Sequence, residues 1–295
     1  MDKLDLLGWE AHTTVKLGDH AFKIRSTSRA FNTWLGNVLK PYKVRKPSAQ
    51  NWYSVVIAGG DPDEDTKSKR RFHILYRGSS QIVRTLDLPT LGQALFAELE
   101  STMFEERDDA VYVEAAALAM DGKVALIPGR YLPTLWKVSR RLHQAGVRLP
   151  LARTVAIDRQ TGQVIPTTST LEIPGDAIDR LVKAVGPEAG AILGVASARA
   201  ADNGHLERWV LDAPARAVAL LTTGADEGPR QPQSRGQAVY RLAGLTMNLA
   251  TIGVSALEGL SLLAEQAQCY VLHGANGTPA QRTQLLDDIT SSLNA

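Results

Sequence analysis

Cysteine is almost missing from this chain. Its 295 residues include one, Cys269, which excludes an internal disulfide framework and every CxxC metal or redox motif. Aromatic residues make up only 6%, so few large rings are available to build a core or a stacking surface. Charge of one sign is lacking too: 33 basic residues face 31 acidic ones, a balance of +2. Binding to polyanions by bulk charge is thereby excluded, and only local patches remain open. No run of 18 apolar residues occurs, and Met-Asp-Lys-Leu-Asp does not begin a secretion signal. The expectation is a cytoplasmic protein with no membrane span. Apolar residues at 44% and charged ones at 22% suit a globular chain with a sizeable core.

The first half reads as mixed strand and helix. Runs at Thr13–Leu17 and Ala21–Arg25 flank Gly18-Asp19, a hairpin signal. Ser26 or Ser28 is placed to cap a helix through Leu39, with Phe31, Leu35 and Val38 on one face and Pro41 ending it. Tyr53–Ala58 is β-branched and reads as a strand, followed by a charged loop from Gly59 to Arg71. Alternation through Phe72, Ile74 and Tyr76, the Gly78-Ser79-Ser80 turn and Ile82 give a second strand pair. Leu91, Leu95, Leu99 and Phe104 mark the buried stripe of a helix over 88–104. Residues 1–58 hold nine basic and four acidic side chains.

Beyond Ala110 the pattern changes. An apolar run over Val111–Ala119, an Asp121-Gly122 turn and Val124–Ile127 give a hairpin that stops at Pro128-Gly129. A helix over 134–144 capped by Gly146, then strands at Val155–Asp158 and Thr168–Ile173, suggest a βαβ unit. A strand over Ala215–Thr222, helices over Gln237–Asn248 and Ser255–Gln268, a strand over Cys269–His273 and a helix over Gln281–Leu293 complete the chain. Gly224–Gly236 reads as a mobile, turn-rich connection. The fold class is α+β, organised as an N-terminal region over 1–108 with a mixed sheet and helices, and a second domain over 109–295.

A strand ending in Pro128-Gly129 and feeding a helix is where a phosphate-binding loop would sit. That chemistry needs GxxxxGK[ST]: glycines let backbone amides wrap the phosphates, lysine neutralises charge, and a hydroxyl holds magnesium. Here Gly129-Arg130-Tyr131-Leu132-Pro133-Thr134-Leu135-Trp136 keeps only the first glycine. Thr134, Leu135 and Trp136 stand in the places of Gly, Lys and Ser/Thr, and Pro133 removes an amide donor.

The hairpin 111–127, the sequence VALIPG and the later AIDRQTGQVIP resemble the HPr kinase-like family, over roughly residues 20–275. The resemblance implies a P-loop-kinase-like C-terminal domain of the PEP carboxykinase/HPr kinase kind. Departures from the family pattern imply that its nucleotide site is degenerate. Glu114 replaces a usual histidine, the loop lacks its Gly, Lys and hydroxyl, and Pro150, Leu151 and Ala152 fall where acidic metal ligands belong. Kinase-like proteins of this kind accompany the biosynthesis of ribosomally made, modified peptides. The expectation is therefore a non-catalytic protein, without cofactor or metal, that recognises a precursor (leader) peptide and serves separate tailoring enzymes. The alternative is a nucleotide-dependent phosphotransferase acting on a peptide or small hydroxyl substrate, using rebuilt ligands such as Lys137 and Glu114.

Two binding surfaces suggest themselves. Between Gly122 and Ile157 stand seven basic residues and no acidic one: Lys123, Arg130, Lys137, Arg140, Arg141, Arg148 and Arg153. With Gly129, Arg130, Thr134, Lys137, Arg140 and Arg141 around the degenerate loop, they form a candidate anion patch, weighed against an ordinary solvated helix face. Trp34, Trp52 and Tyr53 are a candidate aromatic platform for peptide, weighed against core packing, and strand 13–17 or 53–58 could offer an edge for strand addition. The six histidines show no metal-ligand spacing, Cys269 reads as a core residue, and Ser197, Ser255 and Ser261 lack a nucleophile elbow. Glu172, Asp176 and Asp179 around Pro174-Gly175 read as a helix start, and no helix-turn-helix signal points to nucleic acid.

Overall fold

The computed structural model describes residues 4, 7–44, 51–58, 72–86, 88–131, 135, 138–148, 154–166, 211, 213–223, 230–272 and 279–294. The charged loop 59–71, the strand expected at 168–173 and the helix start near Pro174 lie outside them. The described residues form two compact units, one up to Met103 and the other from Phe104. Mixed sheets and helices make the fold α+β.

The first unit is a five-stranded sheet in the order β1-β2-β3-β4-β5. Its strands are β1 (Ala11–Leu17), β2 (His20–Ser26), β3 (Asn51–Val56), β4 (His73–Arg77) and β5 (Ser80–Thr85). Gly18, at φ +57°, closes the β1–β2 hairpin in a conformation that a Cβ would disfavour. Helix α1 (Arg29–Val38) starts where the Ser28 side chain accepts the Phe31 amide at 3.3 Å, and Ser26 Oγ accepts the Ser28 amide. It carries the chain across to β3, which pairs parallel with β2. Alternation sends Val15, Leu17, Phe22, Ile24, Tyr53, Val55 and Leu75 to one side. There they pack against Phe31, Trp34 and Leu35 of α1 and Leu91, Leu95 and Leu99 of α2 (Leu88–Glu105). Strand 53–58 is thus no edge: β3 sits in the middle of the sheet, because β2 and β4 flank it.

The second unit is a seven-stranded sheet, β11-β12-β10-β7-β6-β8-β9. Strands β6 (Val111–Met120) and β7 (Lys123–Pro128) form the expected hairpin, with Asp121 and Gly122 both at positive φ as a tight twisted turn requires. Parallel to β7 run β10 (Ala217–Thr223) and then β12 (Gln268–Leu272), with the short β11 (Gln231–Pro232) antiparallel at the edge. On the other side, β8 (Thr154–Ile157) and β9 (Val164–Ile165) follow β6. The expected βαβ unit is therefore split: β6 separates β7 from β8, and both run antiparallel to it.

Both faces of this sheet are covered. Helices α3 (Ser139–Gln144) and α7 (Pro279–Asn294) bury one through Leu142, Leu285, Ile289 and Leu293. Helices α4 (Arg235–Ala243) and α6 (Val254–Gln266) bury the other through Ala238, Leu242, Leu260 and Leu263, with the one-turn α5 (Leu249–Ile252) between them. The apolar run that reads as an unbroken strand is β6, which faces a core on each side. Residues 231–236, expected within a turn-rich connection, instead form β11 and the start of α4, set by a reciprocal Ser234–Gln237 capping box.

Candidate functional site

Strand β7 ends at Pro128, opposite Ala115 of β6. In open α/β sheets the space beyond such a strand end is where ligands settle. Here the sheet layer beyond it is filled by backbone. On the same edge of β6, two residues further on, Val113 is bridged by Thr246, with the Glu114 amide donating to the Leu245 carbonyl at 2.8 Å and the Met247 amide to the Tyr112 carbonyl at 2.8 Å. Two residues of strand span ~6.6 Å, so residues 245–247 stand directly in the line that β7 would extend.

That inserted segment is anchored by a buried side chain. Asn248 is fully buried; its amide donates to the carbonyls of Arg107 (2.7 Å) and Ala110 (2.8 Å), and its oxygen accepts the Tyr112 amide (3.1 Å). Beside it, Arg107 and Asp109 form a 2.6 Å ion pair, and the Tyr112 hydroxyl donates to Asp109 at 2.9 Å. The hydrogen bond from Arg107, ahead of that from Tyr112, holds the Asp109 carboxyl below its usual range, while burial first and Asp109 second push Tyr112 well up. Nothing in the sequence pattern marks Asn248, since its three partners lie more than 130 residues away.

The loop residues turn inward. Gly129 and Tyr131 belong to a single 3-10 turn, both buried, and Tyr131 and Leu135 join the core under α3 and α7. Leu135, at the lysine's place, is therefore a core residue with no exposed surface. Thr134, Trp136, Lys137, Pro150, Leu151, Ala152 and Arg153, with the side chain of Arg130, lie outside the described residues. Arg140 and Arg141 are exposed on α3, and Arg141 donates to Thr283 of α7 at 3.1 Å. Lys123 begins β7 and Arg148 bridges Ala119, so both lie ~16 Å from Pro128, at the opposite end of the strand. Glu114 is partly buried opposite Thr154.

At the ends of β10 and β12, polar side chains that the sequence reading passed over tie elements together. Gln233 donates to Thr222 Oγ1 (2.7 Å) and to the Tyr270 carbonyl (3.0 Å), and Arg241 reaches the same hydroxyl at 3.4 Å. Arg230 stacks over the Tyr270 ring at 4.4 Å and donates to the Asp288 carbonyl at 3.2 Å. The turn Asp158–Val164, part of AIDRQTGQVIP, packs on α6. Asp158 accepts the amides of Gln160 and Thr161, and Gly162 and Gly259 make the close approach. Among the described residues no group of His, Cys, Asp or Glu could hold a metal ion.

The aromatic platform does not assemble. Successive residues of a strand point to opposite faces, so Tyr53 is fully buried while its neighbour Trp52 is 44% exposed; Trp34 is buried beside Phe31 and Phe96. Trp52 has other company on its face of the sheet. Lys23, its cross-strand partner, lies 4.2 Å over its ring; Arg25 lies 4.2 Å over Trp9 and donates to Ser54 at 2.8 Å; Arg84 lies 3.8 Å over Phe72. On the same face Ser54 and Val56 of β3 are buried. Strand β5 ends the sheet, mostly exposed and paired only with β4 among the described residues. The other edge is partly closed, since Val15 of β1 bridges Lys43.

The chain matches no protein-family model, and no curated protein matches it. No described helix is long and apolar enough to cross a membrane.

Proposed function

We propose that this protein recognises a peptide through its five-stranded unit and leaves the chemistry to other enzymes. The observation that carries this reading is the mostly exposed strand β5 at the end of the sheet, paired only with β4 among the described residues, beside which an extended segment can add as a sixth strand. The closed end of β7 supports the non-catalytic half: backbone stands beyond the strand and a buried leucine where phosphoryl transfer needs a lysine. The order β12-β10-β7-β6, with three parallel strands and a hairpin running into Pro128-Gly129, is compatible with a degenerate HPr kinase-like domain. On that resemblance the ligand is the leader region of a cytoplasmic precursor peptide destined for modification. Tailoring enzymes of the same pathway would be the protein partners. Tyr240, Val254 and Leu257, exposed large apolar side chains on the packed pair α4 and α6, suit such a contact.

Hydrogen exchange with a leader peptide encoded beside the gene tests this directly. Added peptide should slow exchange of the amides in residues 80–85, and calorimetry with ATP and Mg²⁺ should show no binding. Nucleotide binding with phosphate transfer to a peptide or a small hydroxyl compound would establish the phosphotransferase reading in its place.

A further inference from the structure

Helices α4 and α6 pack together on one face of the seven-stranded sheet and turn large apolar side chains away from it. Ala238 and Leu242 of α4 and Leu260 and Leu263 of α6 are buried against the sheet. On the outer side Tyr240 is 81%, Val254 71% and Leu257 40% exposed. Charge is sorted between the two helices. Residues 235–266 hold two basic side chains, Arg235 and Arg241, both on α4, and two acidic ones, Glu258 and Glu265, both on α6. Arg235, Glu258 and Glu265 are exposed, and among the described residues no ion pair takes them up.

Two of these charges oppose their own helix. Arg235 is the first residue of α4, and Glu265 stands in the last turn of α6. A helix start favours anions and a helix end favours cations, so each placement costs its helix a little. The helices run in opposite senses. Helix α4 starts after Gln233, whose amide donates to the Cys269 carbonyl, and its Arg241 reaches Thr222, two residues further along the strands; α6 ends just before β12 begins. Arg235 and Glu265 therefore stand at the same end of the pair. A two-fold axis parallel to the helices lays α4 of one copy on α6 of another and sets Arg235 of each against Glu265 of the other. An axis across them stacks basic on basic and acidic on acidic. We propose that a second copy of this chain docks here, with Tyr240, Val254 and Leu257 at the centre and the Arg235–Glu265 pairs at the rim. Two helices, each ~10 Å across and the longer ~20 Å long, offer ~400 Å² per copy, a small interface that gives a Kd in the micromolar range. The inference goes beyond peptide recognition, which concerns the other unit; a tailoring enzyme that uses these side chains competes with the second copy.

Analytical ultracentrifugation of the full chain from about 1 to about 200 µM provides the test, since that range brackets a micromolar Kd. The mean mass should rise from one chain towards two. Tyr240→Glu should hold the protein monomeric while it melts like the parent. Arg235→Glu sets a glutamate against Glu265, and Glu265→Arg sets an arginine against Arg235, so each variant alone should dimerise about tenfold more weakly, and less so at high salt. An equimolar mixture of these two variants restores both ion pairs and should associate as the parent does. A parent that stays monomeric throughout would overturn the dimer and leave peptide recognition standing, because slowed exchange in residues 80–85 tests that separately. Dimerisation that survives Tyr240→Glu would move the contact off these helices. A mixture that associates no better than its components would overturn the two-fold arrangement.

Discussion

The two sheets differ in how many of their faces are covered, and the sequence records the difference. In the five-stranded unit, β1 and β2 alternate, with every second residue in a core against α1 and α2 and the rest outward. In the seven-stranded unit, neighbouring residues of β6 and β7 are buried alike because helices lie on both sides. A sheet sealed on both faces can offer a ligand only its strand ends, and at β7 that end is filled by residues 245–247. A sheet whose end strand is mostly exposed can meet an extended partner along that strand. Binding is therefore proposed for the smaller unit, although the motif that first draws attention lies in the larger one.

The sharpest way to break this comparison is to restore the missing lysine. Leu135→Lys should not create a nucleotide site; it should bury a charge in the core under α3 and α7 and cost about 4 kcal/mol in urea unfolding. ATP binding by this variant would show that the strand end is open after all.

Neighbouring positions test the number of covered faces. Leu126→Ala and Ile127→Ala, on opposite faces of β7, should each lose about 3 kcal/mol. In the other unit Ile24→Ala should lose about as much, whereas Lys23→Ala should stay within about 0.5 kcal/mol. A large loss at Lys23 would mean that its face is packed.

Glycines sharpen the contrast between a packed turn and a free one. Gly162 has φ +67°, and a Cβ there would lie 2.5 Å from the Leu263 amide nitrogen, so Gly162→Ala should cost about 3 kcal/mol. Gly18 has a similar φ with nothing within 4 Å, and Gly18→Ala should cost only about 1 kcal/mol. Thermal melts of the two variants check the ratio.

The smallest effect concerns Asp288, on α7. Burial is the main cause that raises its carboxyl above the ordinary range, against the lowering bond from Gln284. The folded state therefore holds this proton more tightly than the unfolded chain does. That contribution to stability is complete below the unfolded value and is lost as pH rises through the raised one. Asp288→Asn should accordingly be slightly more stable than the parent at neutral pH, with the gap closing in acid; a gap that widens in acid would reverse the assignment.

Much of the local structure could be read from the chain. The turns at Gly18-Asp19 and Asp121-Gly122, the Ser28 cap and the stripes of α1 and α2 are set by neighbours a few residues apart. The candidate site was less legible. Trp52 and Tyr53 read together as one platform in the sequence, whereas the period-two rule sends adjacent strand residues to opposite faces. Lys23, Arg25 and Arg84 carried no motif, because strand pairing brings them to one face from residues up to 61 positions apart.

Composition and periodicity alone determined that this chain builds mixed strands and helices, where its hairpins turn, and which residues its cores prefer. Those outcomes depend on backbone sterics and on hydrophobic periods within a few residues. Only the tertiary structure decided that β3 is central, that β6 parts β7 from β8, that Thr246 closes the end of β7, and that Lys23, Arg25 and Arg84 share one face of a sheet. Each of these is a pairing between distant segments, and its register is chosen by the whole core.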